Sequence, residues 1–262
     1  MRLGPGTGWH RLQRQEVAAI RPIVPFLSRA RHRALTSGAG ALALAVACTG
    51  CGGKSEPAPS AQSVVDRAAA ATKAEKHFHF VFDEEHGPRS LTGVHLVFAE
   101  GDVAVPGKVA ADVSGTFVGL PLRSRLVVAG GRYYLQDPLS GKWRQVTVST
   151  NPVAFFDPAR GVLSVIRNAT QLELVGSEKV GGKDAYHVKG KTTVGAIAPL
   201  LGNPPGDRLV DIELWVDEES GRLVRVRLAG AVEKGDPDDA TRTIDLSRYG
   251  VVVPIVPPKS GT

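Results

Sequence analysis

The chain has 262 residues, 42% of them hydrophobic, with 32 basic and 26 acidic side chains. That balance supports a domain with a real core and excludes both a wholly disordered chain and a multi-span membrane protein. The net charge of +6 sits in residues 1–50, which carry seven Arg and one acid, Glu16; residues 51–262 are neutral overall, which removes the electrostatic ground for a nucleic-acid partner.

Arg29, Arg31, His32 and Arg33 precede an uncharged stretch, 34–47, rich in Ala, Leu and Val. A basic region, a short apolar run and small residues at its end are the pattern of a signal peptide. The run is about 14 residues, short of the roughly 20 that a membrane span needs. Behind it stands Ala45-Val46-Ala47-Cys48-Thr49-Gly50-Cys51-Gly52-Gly53. A cysteine after small residues resembles a bacterial lipobox, where the thiol is acylated and the chain is cut just before it. Cys51 is the expected acylated residue, because 52–60 (GGKSEPAPS) reads as a tether behind it. Cys48 is the alternative acceptor, and a Cys48–Cys51 disulfide in a secreted protein is the competing reading. No other cysteine exists, so the folded domain has no disulfide, no cysteine-ligated zinc and no thiol nucleophile. This divides the chain into a leader (1–50), an acylated cysteine with its tether (51–61), a domain (62–250) and a proline-rich extended tail (251–262).

Ser63-Val64-Val65-Asp66 has capping-box spacing, and Val64, Val65, Ala68 and Ala71 share a helical face, which predicts a helix over 62–75. The period then becomes two: Phe78, Phe80 and Phe82 line one face of a strand. Alternating segments follow at 94–98, 109–117, 122–128, 132–135 and from Trp143, separated by turn residues such as Gly130-Gly131 and the DPLSG of 137–141. Asp157-Pro158 predicts the start of a helix running through Val162, Leu163, Val165 and Ile166 to about Asn168. Strands near 171–179 and 183–191 meet at Gly181-Gly182. A short helix over 194–201 ends at the breaker Gly202-Asn203-Pro204-Pro205, and the last strands fit 209–217, 222–232 and 241–248. The class is α+β. An antiparallel sheet this long twists and curls, so the simplest arrangement is a strongly curved half-barrel with the helices covering its concave face.

The segment Phe156-Asp157-Pro158-Ala159-Arg160-Gly161-Val162-Leu163 resembles the mid-chain motif of the mycobacterial LppX/LprAFG lipoproteins. The same holds for 175–182 (VGSEKVGG) leading into 185–190 (AYHVKG), for 212–218 (IELWVDE) and for 246–250 (LSRYG). Each motif is short, and the specificity lies in their order across 63–258. The resemblance implies a fold like that of the LolA/LolB lipoprotein carriers. It also implies a role in holding di- or triacylated lipid or glycolipid between sheet and helices and moving it across the cell envelope. Membrane attachment through the acyl anchor and a membrane lipid transporter as partner follow from the same resemblance.

A lipid cavity needs apolar walls and small residues that leave room. Val109, Ala111, Val113, Gly115 and Phe117 on one strand face meet that need, with Phe78, Phe80, Phe82, Leu126 and Val128 as neighbouring wall. Leu163, Ile166, Ile197 and Leu201 are expected to form the lid. Ordinary core packing is the alternative for each, and a one-residue register error inverts the faces. His77, His79, Asp83, Glu84, Glu85 and His86 form the one metal-like cluster, better read as a solvated strand, so no metal or other cofactor is expected. The Arg123/Arg125 and Arg225/Arg227 pairs read as solvated strand faces or as a rim for anionic headgroups. No nucleophile elbow or phosphate-cradling loop is present, so an enzyme is not expected. The remaining rival to a lipid carrier is an envelope interaction or sensor protein with a solid core.

Overall fold

The strands were expected from alternation, and they assemble outward from the middle of one sheet. The structure, a computed structural model, describes residues 58–87, 94–147, 161–197 and 208–259, all within one compact unit, Ser55–Thr262. Helix α1 (Ala61–Ala74) leads into six strands, β1 (His77–Glu85), β2 (Val94–Ala104), β3 (Lys108–Phe117), β4 (Leu120–Ala129), β5 (Arg132–Gln136) and β6 (Trp143–Val146). Helix α2 (Val162–Arg167) and strands β7 (Thr170–Val180) and β8 (Lys183–Thr193) follow. Then come α3 (Val194–Ile197), β9 (Leu209–Asp217), β10 (Leu223–Ala229) and β11 (Thr241–Ser247).

All eleven strands form one open antiparallel sheet in the order β6-β5-β4-β3-β2-β1-β11-β10-β9-β8-β7. Two meanders therefore fan out from a central pair, in which the first strand meets the last, Phe80 opposite Leu246 and Phe82 opposite Ile244. Among the described residues, the helices lie against β7–β10 and against one another.

The start of the first helix shifts. The cap of α1 is Ser60, not Ser63: the Ser60 hydroxyl accepts from the Ser63 amide at 3.1 Å, and Asp66 instead accepts from Gln62 at 2.9 Å. This turn starts earlier because Ser63 donates its hydroxyl to the Ser60 carbonyl at 2.8 Å. The described part of α2 begins at Val162 with Gly161 as N-cap; Asp157 and Pro158 lie outside the described residues, as do 198–201 of the third predicted helix. The turns were well marked, with Gly130-Gly131 and Gly181-Gly182 at positive φ in the β4–β5 and β7–β8 hairpins.

Candidate functional site

In an antiparallel sheet, residues directly opposite one another share a face, so register decides what the predicted wall residues build together. Phe78, Phe80 and Phe82 stand opposite Val103, Gly101 and Ala99 of β2. These stand opposite Val109, Ala111 and Val113 of β3, and Val109 and Ala111 face Val128 and Leu126 of β4. Leu126 and Val128 continue to Leu135 and Tyr133 of β5. Across the centre, Ile244 faces Val226, Val226 faces Leu214, Leu214 faces Val188 and Val188 faces Leu174. One apolar ribbon thus crosses the sheet from β5 to β7. It belongs to the same cluster as Val64, Val65 and Ala68 of α1, Val165 and Ile166 of α2, and Val194 and Ile197 of α3.

The expected wall residues therefore share a face, and it is the face the helices pack on. Phe80, Val109, Ala111, Val128, Ile166 and Ile197 are buried, while Phe78, Phe82, Val113 and Leu126 are half-buried against the cluster. The side chains of Phe117 and Leu163 lie outside the described residues, as does Leu201.

Gly115 is a correction. Its missing side chain does not leave a void: a Cβ there would sit 1.9 Å from the His95 carbonyl oxygen. The space is filled by the backbone of β2, whose pairing with β3 shifts between Leu96 and Phe98. A bulge presses the two chains together at this point, and only glycine tolerates the approach.

Exposure along the ribbon is graded. Toward the β2–β3 and β4–β5 turns, Val109 and Val128 are each 2% exposed. Two to six residues on, Val113, Leu126 and Leu122 are half-buried. At the opposite end of β2 and β4, Leu96 is 40% and Leu120 is 70% exposed. The apolar face of β2–β4 is sealed at one end and opens at the other.

Over β7–β11 the same face is closed. Arg67 of α1 donates to the Glu219 carbonyl at 2.5 Å, and Glu75, at the end of α1, accepts from Arg222 Nε at 2.6 Å. The reverse side of these strands is tied by charge. Arg225 donates twice to Asp245, at 2.5 and 2.8 Å, and Arg227 donates to Glu213 at 3.0 Å. His187 lies 2.7 Å from Glu213 and stacks on Trp215 with ring centroids 4.3 Å apart. Arg225 and Arg227, expected as solvated, are half-buried partners in this network. Beside it a groove of about 380 Å³ is lined by Val180, Lys183, Arg222, Arg225, Asp245 and Tyr249, among others.

The metal-like cluster is divided by the sheet. His79 turns to the reverse side, 3.0 Å from Asp102 and 3.3 Å from Glu100. Glu84 follows the Phe register inward and is buried. There it meets Arg242 at 2.5 Å and His95, and Arg242 also holds Asp236 at 2.7 and 3.1 Å. Burial pushes the Glu84 carboxyl above the usual carboxylate range, against the pull of Arg242 and His95. Burial also acts on Asp236, but the Arg242 hydrogen bonds and two backbone amides outweigh it and hold that carboxyl low. Sequence reading missed this cluster, though the signal was present: Glu84 continues the 78-80-82 alternation and Arg242 begins the 242-244-246 one. A charge in an apolar register has to find partners.

With this geometry in hand, likeness to known proteins can be weighed. Residues 60–255 match the family model described as LppX_LprAFG lipoprotein. The chain is 23% identical over 220 residues to the lipoarabinomannan carrier protein LprG of Mycolicibacterium smegmatis, an alignment covering 80% of this chain and 89% of that one. It is 24% identical over 228 residues to the protein of the same name from Mycobacterium tuberculosis, covering 82% and 92%. Among solved structures it is similar to LprF from Mycobacterium bovis, at 21% identity and a TM-score of 0.62 over 77% of this chain and 97% of that one. It is also similar to LppX from Mycobacterium tuberculosis, at 18% identity and a TM-score of 0.55 over 75% and 98%. At these identities the two structures speak for the fold alone.

Proposed function

The chain belongs to the LppX_LprAFG lipoprotein family, and from that premise we propose that it carries acylated lipid or glycolipid on the open half of its apolar face. The observation that carries this reading is the exposure gradient on β2–β4, from Val109 and Val128 at the sealed end to Leu96 and Leu120 at the open end. A solid core would bury the whole ribbon; an acyl chain laid along it would cover the half-buried residues Phe82, Val113 and Leu126. The name lipoarabinomannan carrier borne by two relatives supports a glycolipid as the cargo class.

The work is partition, not bond making. Each methylene withdrawn from water favours the bound state by about 0.8 kcal/mol, so two or three long acyl chains bind tightly. Release then needs a conformational change or a partner such as a membrane lipid transporter. Phe78, Phe80, Phe82, Val109, Ala111, Val113, Leu126 and Val128 form the wall, with Ile166 and Ile197 on the helices beside it. In this reading the sheet curves around the cargo, which lies beside the half that the helices cover. The leader exports the chain, and Cys51, or Cys48 in its place, anchors it to the outer face of the plasma membrane, within the cell envelope.

Mass spectrometry of the chain from Ser55 onward tests this, with protein made in a mycobacterial host and measured first under native conditions and then after organic extraction. A stoichiometric acylated lipid is expected. A lipid-free mass that takes up no added glycolipid would end the carrier reading and favour an interaction or sensor protein with a solid core.

A further inference from the structure

The open end of the ribbon finishes in exposed apolar side chains at two neighbouring turns. In the β3–β4 hairpin Phe117 pairs with Leu120, leaving Val118-Gly119 as a two-residue turn. Val118 is 54% exposed and Leu120 is 70% exposed. The β5–β6 turn leaves the sheet at the same end, since Ser124 of β4 donates to the carbonyl of Gln136, the last residue of β5. It carries Leu139, 96% exposed.

Backbone strain adds a second and independent observation. Val118 has φ +50° and Gly119 φ +77°, both positive, as a type I′ turn requires. The β4–β5 and β7–β8 hairpins meet the same need with Gly130-Gly131 and Gly181-Gly182. Val118 instead puts a β-branched side chain in the left-handed region, an outlier for that residue type. The chain accepts both strain and an exposed apolar group at one tip, although it uses the unstrained solution twice elsewhere. Strain retained in this way marks a functional position.

Charge selects the partner. Arg125 is ion-paired with Asp112 at 3.1 Å and Arg144 with Asp137 at 3.0 Å. Arg123 and Lys142, both exposed, have no carboxylate partner among the described residues. The β3–β4 and β5–β6 tips, set two or more strands away in the sheet from the exposed carboxylates of Asp83 and Glu85 on β1, therefore present apolar side chains flanked by two cations without a carboxylate partner, a combination that suits an anionic lipid surface. Arg225 and Arg227 carry no such charge, being paired with Asp245 and Glu213.

We propose that the β3–β4 tip and the β5–β6 turn form a membrane-docking rim. Val118, Leu120 and Leu139 enter the boundary between headgroups and acyl chains, while Arg123 and Lys142 meet lipid phosphates. The rim rests on the carrier reading for its purpose, because it would put the open end of the ribbon against the bilayer from which a chain is drawn.

Co-sedimentation of the chain from Ser55 onward, which holds every described element and the core, with vesicles tests the rim. The vesicles are phosphatidylcholine alone or phosphatidylcholine mixed with phosphatidylglycerol. Binding is expected to the mixed vesicles and to be weaker on the neutral ones. L120S and L139S should each lower it by about tenfold, the worth of keeping a leucine out of water, and both should keep the parent's circular dichroism. V118N is the discriminating variant: asparagine suits the turn, so thermal stability should rise while vesicle binding falls. Serine variants that bind like the parent, equal binding to both vesicle types, or a stabilised V118N with undiminished binding would each overturn the rim. Bound-lipid mass is measured on the same samples. Cargo without docking removes the rim alone, and docking without cargo removes the carrier reading.

Discussion

The two halves of this sheet share alternation, register and a single apolar ribbon, yet they are finished differently. Over β7–β10 the ribbon is roofed by helices, and the reverse side is laced by Arg225–Asp245, Arg227–Glu213 and the His187–Trp215 stack. Over β2–β4, where the described residues show no comparably broad helix packing, burial declines along the strands from Val103, Val109 and Val128 to Leu96 and Leu120. On the proposed reading one half stays closed and the other receives the cargo. A continuous sheet can in this way carry a covered half and an open half on one hydrophobic surface, without a domain boundary to hinge on.

The contrast can be broken first at the seam. Arg242 of β11 holds Asp236 and Glu84 of β1 in a buried cluster at the junction of the halves. R242M strands two buried carboxylates and should cost about 3–5 kcal/mol, read by chemical denaturation. A loss below about 1 kcal/mol, the range of surface pairs, would mean the seam is held by the backbone ladder alone. Next, L214A in the closed half should cost about 2–5 kcal/mol. L126A, in the open half, should cost about half as much because its site is already partly hydrated, yet it alone should reduce lipid uptake. Equal penalties would erase the distinction.

Smaller effects sharpen the picture. G115A should cost about 1–3 kcal/mol through the clash with the His95 carbonyl and leave the lipid load unchanged, as measured by thermal unfolding and extraction. The gentlest test is pH. The native Glu84 carboxyl is raised, so the folded chain binds its proton more tightly than the unfolded chain. Its contribution to stability is therefore present below the ordinary carboxylate range and is lost as pH rises from that range through the raised value. E84Q should flatten that fall in a denaturation series, and an unchanged slope would assign it to another group.

Much of the fold was legible because a half-buried strand announces itself by period two. The 78-80-82 and 109-111-113 alternations, the Gly-Gly turns and the first helix all stand within a residue or two of expectation. Pairing of β1 with β11 was not legible, since nothing local links residues 77–85 to 241–247. The Gly115 reading failed for a related reason: the gap left by a glycine looks the same whether a ligand or a neighbouring strand fills it. The break between the strands expected at 109–117 and 122–128 was legible, but its strain was not: only the backbone φ places Val118 in the left-handed region.

The most direct test of the two-half account is photolabelling with a glycolipid bearing a light-activated group midway along one acyl chain. After irradiation and digestion, labels are expected on β1–β5, centred on Phe82, Val113 and Leu126, and not on the β8–β10 residues Val188, Leu214 and Val226 beneath the helices. Labels concentrated on those latter residues, or spread evenly over both halves, would contradict the division of the sheet into scaffold and receptor.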